Sequence, residues 1–264
     1  MTQRNFTKAF VRAPAQSLVD GITQAGLGLP DYARAVQQHR AYIAALEDAG
    51  LQVVVIPADE RYPDCVFIED TALLTEALAI ITRPGALSRR GEVDAVQQAL
   101  AEAFTDLRVI QSPATLDAGD VMQIGDVFYV GLSARTDQAG VRQLADLVAD
   151  HGLKVQAVAM PEILHLKTGV NYLGGDDLIV SASALGYLTE KDAGLPLKGF
   201  NCIVVPDAEA YAANALWLNG TVLVPAGFPR SAELIDTAGY SVQPLAMSEF
   251  QKLDGGLSCL SLRI

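Results

Sequence analysis

Short apolar segments alternate with polar turns along most of the chain, most clearly between residues 117 and 160. The parts of this stretch are, in order, the apolar segment 121–124, the hairpin-type turn Gly125-Asp126, the apolar segment 127–130, a helix with an apolar stripe from Val141 to Val148, and an alternating segment 153–158. Gly152 stands where a glycine commonly ends a helix. The pattern predicts a unit of two strands, a helix and a third strand.

The same order of segments recurs, with matches in order and spacing rather than in identity. The other copies run from Asp64 to Ile110 with a helix at 92–104, from Gly174 to Val205, from Asn214 to Pro244, and across the two ends, where 256–264 is followed by 9–12, a helix at 32–49 and 53–56. A copy assembled from both ends is how a circular fold closes. Five copies predict a closed α/β ring with pseudo-fivefold symmetry around a central cavity.

Without the closing copy, the pattern would favour a doubly wound α/β fold. No GxGxxG or GxxxxGK[ST] motif occurs, so no motif supports nucleotide binding. A chain of 264 residues with 50% hydrophobic content can bury a core as one domain or two. The closing copy favours a single catalytic domain over 1–264, closed by pairing of the N- and C-terminal segments.

The composition limits the classes of molecule that the protein is expected to bind. A formal net charge of −12 makes nucleic acid and anionic membranes poor partners and would attract a small cationic substrate. No apolar run approaches the roughly 18 residues of a membrane span, and the first residues show no apolar signal segment. Three widely spaced cysteines without a CxxC pair argue against a disulfide framework and for a reducing compartment. We therefore expect a cytoplasmic protein without nucleic-acid or membrane partners.

Cys259 follows the glycine pair Gly255-Gly256 and stands at the head of an apolar tail. Glycines allow a tight turn or a close approach of the backbone, so this thiol is well placed to face a cavity. A free cysteine is nevertheless more often a small buried hydrophobe. Cys65 and Cys202 fit that second description, since both lie in apolar segments typical of core strands.

If Cys259 is a nucleophile, a group that titrates near neutrality must handle protons. His165 is the best candidate, although a histidine on an apolar stretch is more often a core residue. His39 lies on the apolar stripe of a predicted helix, and His151 lies at a helix C-terminus, where a cation is favourable. No HExxH, paired His or Cys ligands, or EF-hand loop occurs, so a metal site is poorly supported.

Charged residues recur at equivalent points of the copies. Those at the opening of the presumed first strand, where Cys259 also falls, are Asp70, Asp120 and Asp177. Those in the loop before the helix are Arg89, Arg135 and Arg230. Singly, each is more often a solvated loop charge, but if the copies surround an axis, both sets should line it.

Eight short stretches stand in a fixed order over nearly the whole chain. They are SLVDG at 17–21, PDCVFIED at 63–70, ITRPG at 81–85, SRRGE at 88–92, TLDAGD at 115–120, SART at 133–136, LHLK at 164–167 and DGGLSC at 254–259. In these stretches the chain resembles the dimethylarginine dimethylaminohydrolases of the guanidino-group-modifying superfamily. The resemblance implies a five-bladed α/β propeller, the pentein fold. It also implies hydrolysis of asymmetric dimethylarginine and monomethylarginine to L-citrulline and dimethylamine or methylamine, with no cofactor and no metal.

The resemblance further implies roles for individual residues. The catalytic residues would be Cys259 as nucleophile, forming a thiouronium intermediate, His165 as proton donor and Asp117 as the acidic partner of the histidine. The substrate contacts would be Asp70 to the guanidinium, Asp64 and Glu69 to cationic groups, Arg89 and Arg135 to the α-carboxylate, Ile22 from a mobile lid over 21–28, and Leu253 through its backbone. A guanidinium fork suits a carboxylate because both are planar and bidentate.

Two alternatives stay open beside this interpretation. Arginine deiminases and amidinotransferases share the chemistry, but both are typically longer than this chain. A non-catalytic ring that only binds a ligand is the alternative from another class, and the joint presence of Cys259 and His165 argues against it. The expected partner is a cationic amino acid, a methylated arginine, and a homodimer is left open.

Overall fold

The computed structural model describes residues 5–160, 163–189 and 194–264. The strands in these ranges are β1 Lys8–Arg12, β2 Gln52–Ile56, β3 Ala72–Leu74, β4 Leu78–Ile81, β5 Asp106–Val109, β6 Val121–Ile124, β7 Val127–Leu132, β8 Lys154–Ala159, β9 Val170–Gly174, β10 Asp177–Ser181, β11 Asn201–Val205, β12 Leu216–Leu218, β13 Thr221–Pro225, β14 Ser241–Leu245 and β15 Leu262–Arg263. The helices are α1 Tyr32–Asp48, α2 Val93–Ala101, α3 Gln138–Val148, α4 Leu166–Gly169, α5 Ala182–Leu188, α6 Pro229–Thr237 and α7 Ser248–Gln251. Within these ranges no helix is long and apolar enough to cross a membrane.

The described strands form five three-stranded sheets of identical internal order. In each, the first strand runs antiparallel to the middle strand, which runs parallel to the third. The sheets are β3-β4-β5, β6-β7-β8, β9-β10-β11, β12-β13-β14 and β15-β1-β2. In the last sheet Ala9 pairs with Arg263 and Phe10 with Leu262, so segments from opposite ends of the sequence share one sheet.

Local sequence explains why helices follow the middle strands. A parallel pair needs a crossover connection, and a helix such as α3 supplies it between β7 and β8. Asp137 caps α3 by accepting a hydrogen bond from the Gly140 amide (2.7 Å). In the predicted apolar stripe of α3, Val141, Leu144 and Val148 are buried and Leu147 is half-buried. Gly152 adopts a left-handed φ of 69° beyond the helix, as its position predicted.

Buried apolar side chains form five clusters in the described residues, each linking two sheets that follow one another. In one cluster, for example, Phe10 of β1 and Ile81 of β4 pack with Leu100 of α2. Another brings Leu218 of β12 against Val11 of β1. The apolar face of every sheet is therefore covered by its neighbours, which leaves the turns before the first strands free to carry polar groups.

Two sequence-based assignments were wrong. The copy predicted to open at Gly174 opens one strand earlier, with β9. Gly174 (φ 97°) ends β9 and Gly175 (φ 57°) begins the turn to β10, because left-handed glycines suit a tight hairpin. Residues 62–67, including Cys65, form successive turns rather than a strand, with the Cys65 amide bonded to the Tyr62 carbonyl (3.1 Å).

Candidate active site

In each sheet, a short helical turn precedes the first strand. The turns are Ile68–Thr71 before β3, Ala118–Asp120 before β6, α4 before β9, Asp207–Ala213 before β12 and Ser258–Leu260 before β15. Residues in or beside all five turns line one pocket, namely Glu69, Asp70, Gly119, His165, Asn214 and Cys259. Every sheet thus contributes to the same pocket, although its contributors are far apart in the sequence.

Cys259 lies in the last of these turns, half-buried at the pocket. The Gly256 amide donates a hydrogen bond to its Sγ (3.3 Å). A Cβ atom on Gly255 would overlap the Phe67 ring, and one on Gly256 would overlap the Asn214 side chain. The glycine pair is therefore needed for close backbone approach, one of the two explanations that the sequence offered.

Burial raises the pKa of the Cys259 thiol to about 12, and the carboxylates of Glu69 and Asp70 act in the same direction. The thiol is accordingly protonated at neutral pH in the ligand-free protein. A cation bound beside it would offset the two carboxylates and favour the thiolate. The Cys259 thiol is therefore a weak nucleophile in the ligand-free protein.

His165 lies immediately before α4 and is buried in the pocket wall. Its Nε2 is 3.1 Å from Asp117 Oδ2, and its Nδ1 is 3.9 Å from Asp70 Oδ1. Burial by itself disfavours the imidazolium, but Asp70, Asp117 and Asp120 outweigh it and raise the pKa of His165 to about 9. The ring is therefore charged at neutral pH and can donate a proton.

Asp117 and Asp120 stand behind His165, and both are fully buried. Asp117 acts on the pocket through its hydrogen bond to the histidine. Asp120 accepts hydrogen bonds from the Leu166 amide (3.0 Å) and from two hydroxyl groups, so it fixes the backbone that carries His165. The expectation that Asp120 lines the cavity was wrong, because these donors hold its carboxylate in the layer behind.

Arg89 borders the pocket, but its guanidinium group is directed at acidic protein groups. Its Nη1 is 2.5 Å from Asp70 Oδ2, and its Nε and Nη2 donate to the Glu92 carboxylate at 3.1 and 2.8 Å. Burial opposes ionisation of Asp70, but His165 and Arg89 outweigh it and lower the pKa of Asp70 to about 2. Arg89 therefore keeps Asp70 ionised in a buried position, and its predicted contact with a substrate carboxylate stays a prediction.

Asp64 supplies a second buried carboxylate at the pocket. Its Oδ1 accepts a hydrogen bond from the Ile22 amide (3.0 Å), and burial raises its pKa. Ile22, 42% exposed, and Leu253, 4% exposed, line the same pocket. Arg135 lines it as well, with Nη1 3.8 Å from Asp117 Oδ2 and a side chain that is 18% exposed. The pocket can thus accept a ligand that carries both a cation and an anion.

Glu69 is held by protein groups. Its Oε1 accepts from Lys167 Nζ (2.7 Å) and its Oε2 from Ser258 Oγ (2.7 Å). Asn214 completes the network, since its Nδ2 donates to Ser258 Oγ (3.0 Å) and its Oδ1 accepts from the Ser258 amide (2.9 Å). These contacts fix the turn of the cysteine. Lys167 and Asn214 were not predicted as site residues, because their only signals were a place beside His165 and a place before a strand.

Asp177 and Arg230 were predicted to line the same cavity, and both predictions were wrong. Asp177 begins the middle strand β10 and accepts a hydrogen bond from the Tyr240 hydroxyl (2.6 Å). Arg230 is exposed at the start of α6 and pairs with Glu233 one turn along the helix. The repeat identified equivalent loops but not which of their side chains turn inward.

Asp70, Asp117 and His165 offer ligand atoms within 4.8 Å of one another, the one such group among the residues that the structure describes. The Asp70 carboxylate already accepts hydrogen bonds from Arg89 and Gly119, and Asp117 Oδ2 is hydrogen-bonded to His165 Nε2. Hydrogen bonds therefore satisfy the group without an ion, and the expectation of no metal and no cofactor stays a prediction.

Comparison with solved structures defines the class of protein. The chain superposes on the N-terminal domain of ArgZ, a cyanobacterial arginine dihydrolase, with a TM-score of 0.85 over 98% of this chain and 97% of that one. At 20% identity this likeness concerns the fold alone. The protein therefore has the α/β pentein fold, which its five small sheets fit.

The family model for eukaryotic N,N dimethylarginine dimethylhydrolase matches residues 30–221. The N(G),N(G)-dimethylarginine dimethylaminohydrolase of Pseudomonas aeruginosa is 45% identical over 98% of this chain and 99% of its own length. A cysteine-to-serine mutant of that organism's enzyme, solved in complex with citrulline, has a TM-score of 0.94 and 43% identity, covering 99% of this chain and all of that one. The chain belongs to the dimethylarginine dimethylaminohydrolase family, which confirms the resemblance predicted from its motifs.

Proposed function

We propose that this protein hydrolyses N-omega-methylated arginines to L-citrulline and dimethylamine or methylamine through a thiouronium intermediate on Cys259. One observation carries the proposal. The Cys259 thiol shares a pocket with a charged His165 and with two buried carboxylates, Asp64 and Asp70. Family membership, and the citrulline bound to the relative from Pseudomonas aeruginosa, support the same reaction.

The architecture belongs to the proposal as well. The five sheets would be the blades of an α/β propeller with pseudo-fivefold symmetry around a central cavity, and 1–264 would be one catalytic domain. The pairing of β1 with β15 and the five core clusters between sheets support this arrangement.

The two ends of the substrate would meet opposite charges. Asp70 would hold the guanidinium beside Cys259, and Asp64, with the backbone of Leu253, would receive the ammonium group. Arg135, whose guanidinium is partly exposed, would bind the α-carboxylate. Arg89 would act indirectly, by keeping Asp70 ionised. Glu69, occupied by Lys167 and Ser258, would act on the nucleophile's turn rather than on the substrate directly.

The charge of the substrate would start the reaction. A bound guanidinium lowers the pKa of the Cys259 thiol, which releases its proton to solvent, and the thiolate attacks the guanidinium carbon. As the carbon–nitrogen bond breaks, His165 donates its proton to the departing dimethylamine and leaves a thiouronium ion. Neutral His165 then accepts a proton from water, and the resulting hydroxide adds to the same carbon. Cleavage of the carbon–sulfur bond, with transfer of the adduct's hydroxyl proton to the departing sulfur, releases citrulline and restores the Cys259 thiol.

Citrulline formation from asymmetric dimethylarginine, with arginine assayed in parallel, tests this function. Turnover of the methylated substrate is the expected result. Turnover of arginine alone would move the protein to the deiminases. No turnover of either, with the ligand still bound, would support the non-catalytic alternative.

Alkylation of Cys259 should report its high pKa directly. Because the thiol is protonated at neutral pH, its rate of reaction with iodoacetamide should rise about tenfold per pH unit from pH ~7 to beyond ~9, without a plateau near the usual thiol pKa of ~8.5. Mass spectrometry of the peptide that contains Cys259 separates this reaction from those of Cys65 and Cys202. A plateau below pH ~8 would mean that the resting site holds a thiolate–imidazolium pair.

Two hydrogen bonds to Asp254, together called the latch, hold the predicted lid (residues 21–28) over the pocket. Asp254 Oδ2 accepts hydrogen bonds from the Gln24 amide (2.7 Å) and the Thr23 hydroxyl (3.1 Å). Ile22 of this segment and Asp254 both line the pocket beneath, whose volume is about 60 Å³, so movement of the segment would widen the entrance to the site. Opening and reclosing of 21–28 would accompany every turnover.

Asp254→Gly should weaken the latch without straining the backbone, since Asp254 has a left-handed φ of 60° that glycine adopts freely. We expect KM to rise about tenfold, the equivalent of a lost charge-assisted hydrogen bond. Asp254→Asn is the matched variant, because asparagine tolerates the same φ and keeps an acceptor oxygen, so it should retain most activity. Equal kinetics for the glycine variant and the wild type would rule out the latch.

A further inference from the structure

A second, larger cavity meets the catalytic pocket at the Glu69–Lys167 ion pair, because these two residues line both. Its volume is about 340 Å³. All five sheets contribute residues of their first strand, β3, β6, β9, β12 or β15, to its wall. The cavity therefore follows the same axis as the catalytic pocket, and nothing in the proposed reaction uses it.

The wall of this cavity is largely apolar. Phe6 and Trp217 form an aromatic pair with ring centroids 6.1 Å apart, and Met122 and Leu73 belong to the same lining. Ligand sites are typically concave, of about 300–1,000 Å³, apolar in most of their lining and polar at a few fixed points. The second cavity has that size and that lining, whereas the catalytic pocket, with its lid latched, is smaller.

The polar end of the cavity carries excess positive charge. The charged residues among its described lining are Lys167, Arg263 and Glu69, two cations against one carboxylate. Glu69 is already bonded to Lys167 Nζ and Ser258 Oγ, and Arg263 Nη2 is 3.8 Å from Glu69 Oε1, beyond hydrogen-bonding distance.

Arg263 Nη1 donates to the Ser258 and Ser261 carbonyls and to the Ser261 hydroxyl, and its guanidinium lies 5.9 Å from the centre of the Phe6 ring. Arg263 Nε is a buried donor without a hydrogen-bond partner among the described residues. In a chain of net charge −12, this end of the cavity is locally positive.

We propose that this cavity binds a small carboxylate with an apolar body, its head towards Arg263 and Lys167 and its body against Phe6 and Trp217. One negative charge would balance the excess of one cation. A guanidinium group suits a carboxylate in particular. An inorganic anion would leave the aromatic wall uncovered, and a neutral apolar molecule would leave the cations without a partner. The inference is independent of the reaction at Cys259.

Trp217 makes the site directly measurable, because it is the only tryptophan in the chain and lines this cavity rather than the catalytic pocket. The probe is cyclohexanecarboxylate, with the neutral isostere cyclohexanecarboxamide as its control. The carboxylate should change the Trp217 fluorescence saturably and bind about tenfold or more tightly than the amide, as the loss of a charge-assisted hydrogen bond predicts. Equal responses to the two compounds, or none, would overturn the proposal.

Gln123 offers a matched pair of variants, since it lines the cavity on β6 and is only half-buried. Gln123→Glu should weaken carboxylate binding and Gln123→Lys should strengthen it, with little change in shape. Arg135→Gln, which alters the catalytic pocket, should leave the affinity unchanged. Binding that ignores the Gln123 variants, or that is lost in Arg135→Gln, would place the carboxylate elsewhere and reject the site.

Discussion

Replacing Cys259 by serine should reduce citrulline formation from asymmetric dimethylarginine by roughly 10⁴–10⁶-fold, the range seen when a catalytic nucleophile is removed. A hydroxyl group is a far weaker acid than a thiol, so the bound guanidinium that favours the Cys259 thiolate cannot produce an alkoxide. Serine fits the turn and can still accept the hydrogen bond from the Gly256 amide. The fold and the ligand pocket should therefore survive the change.

Measuring substrate binding to Cys259→Ser distinguishes a loss of catalysis from a loss of structure. Calorimetry should show that Cys259→Ser still binds dimethylarginine, because Asp64, Asp70 and Arg135 are untouched. Cys202→Ser is the matched control, since Cys202 lies on β11 away from the pocket and its loss should leave turnover at the wild-type level. Activity of Cys259→Ser within tenfold of the wild type would refute the assignment of the nucleophile.

His165→Gln should have the next largest effect, a fall in kcat of roughly 10²–10⁴-fold, the usual contribution of a general acid–base. Glutamine can still hydrogen-bond to Asp117, but it can neither protonate dimethylamine nor accept a proton from water. A substrate analogue that releases a thiolate in place of the amine needs no acid for its departure. The analogue should therefore form the covalent adduct on the variant, which then persists because its hydrolysis lacks a base.

The pH profile distinguishes this role from a structural one. The imidazolium of His165 has a pKa of about 9, and at saturating substrate the bound cation has already ionised Cys259, so wild-type kcat should fall as pH rises through about that value and the proton donor is lost. The variant should lack this descending limb. His151→Gln is the control, because His151 lies in a surface cluster with Asp106 and Arg108. An unchanged descending limb in His165→Gln would assign the proton to another group.

Much of the secondary structure was predictable because apolar periodicity is a local property of the sequence. The unit β6-β7-α3-β8 matches its sequence pattern within a few residues, and α1 begins at Tyr32 as predicted. The start of the third copy was predicted wrongly, because Gly174-Gly175 signals a turn but does not indicate which strands the turn joins. Only the pairing of Val180 with Val170 identifies β9 as the first strand of that sheet.

The predicted site residues came largely from motifs, and the structure brings nine of the ten to one pocket, with Asp117 behind His165. Their partners were not predictable. Arg89 forms buried salt bridges with Asp70 and Glu92, and charge, burial and geometry together determine that pairing. The bonds of Asn214 to Ser258 and of Asp254 to Gln24 join residues that no sequence pattern connects.

The pairing of β15 with β1 has a consequence for how the chain folds. Closing a loop costs more conformational entropy the longer it is, and this contact spans nearly the whole described sequence, whereas β3-β4-β5 and β6-β7-β8 are local. Local sheets should form first and the terminal sheet last. The turn that carries Cys259 precedes β15 directly, so partly folded molecules would have most of their secondary structure and no working nucleophile.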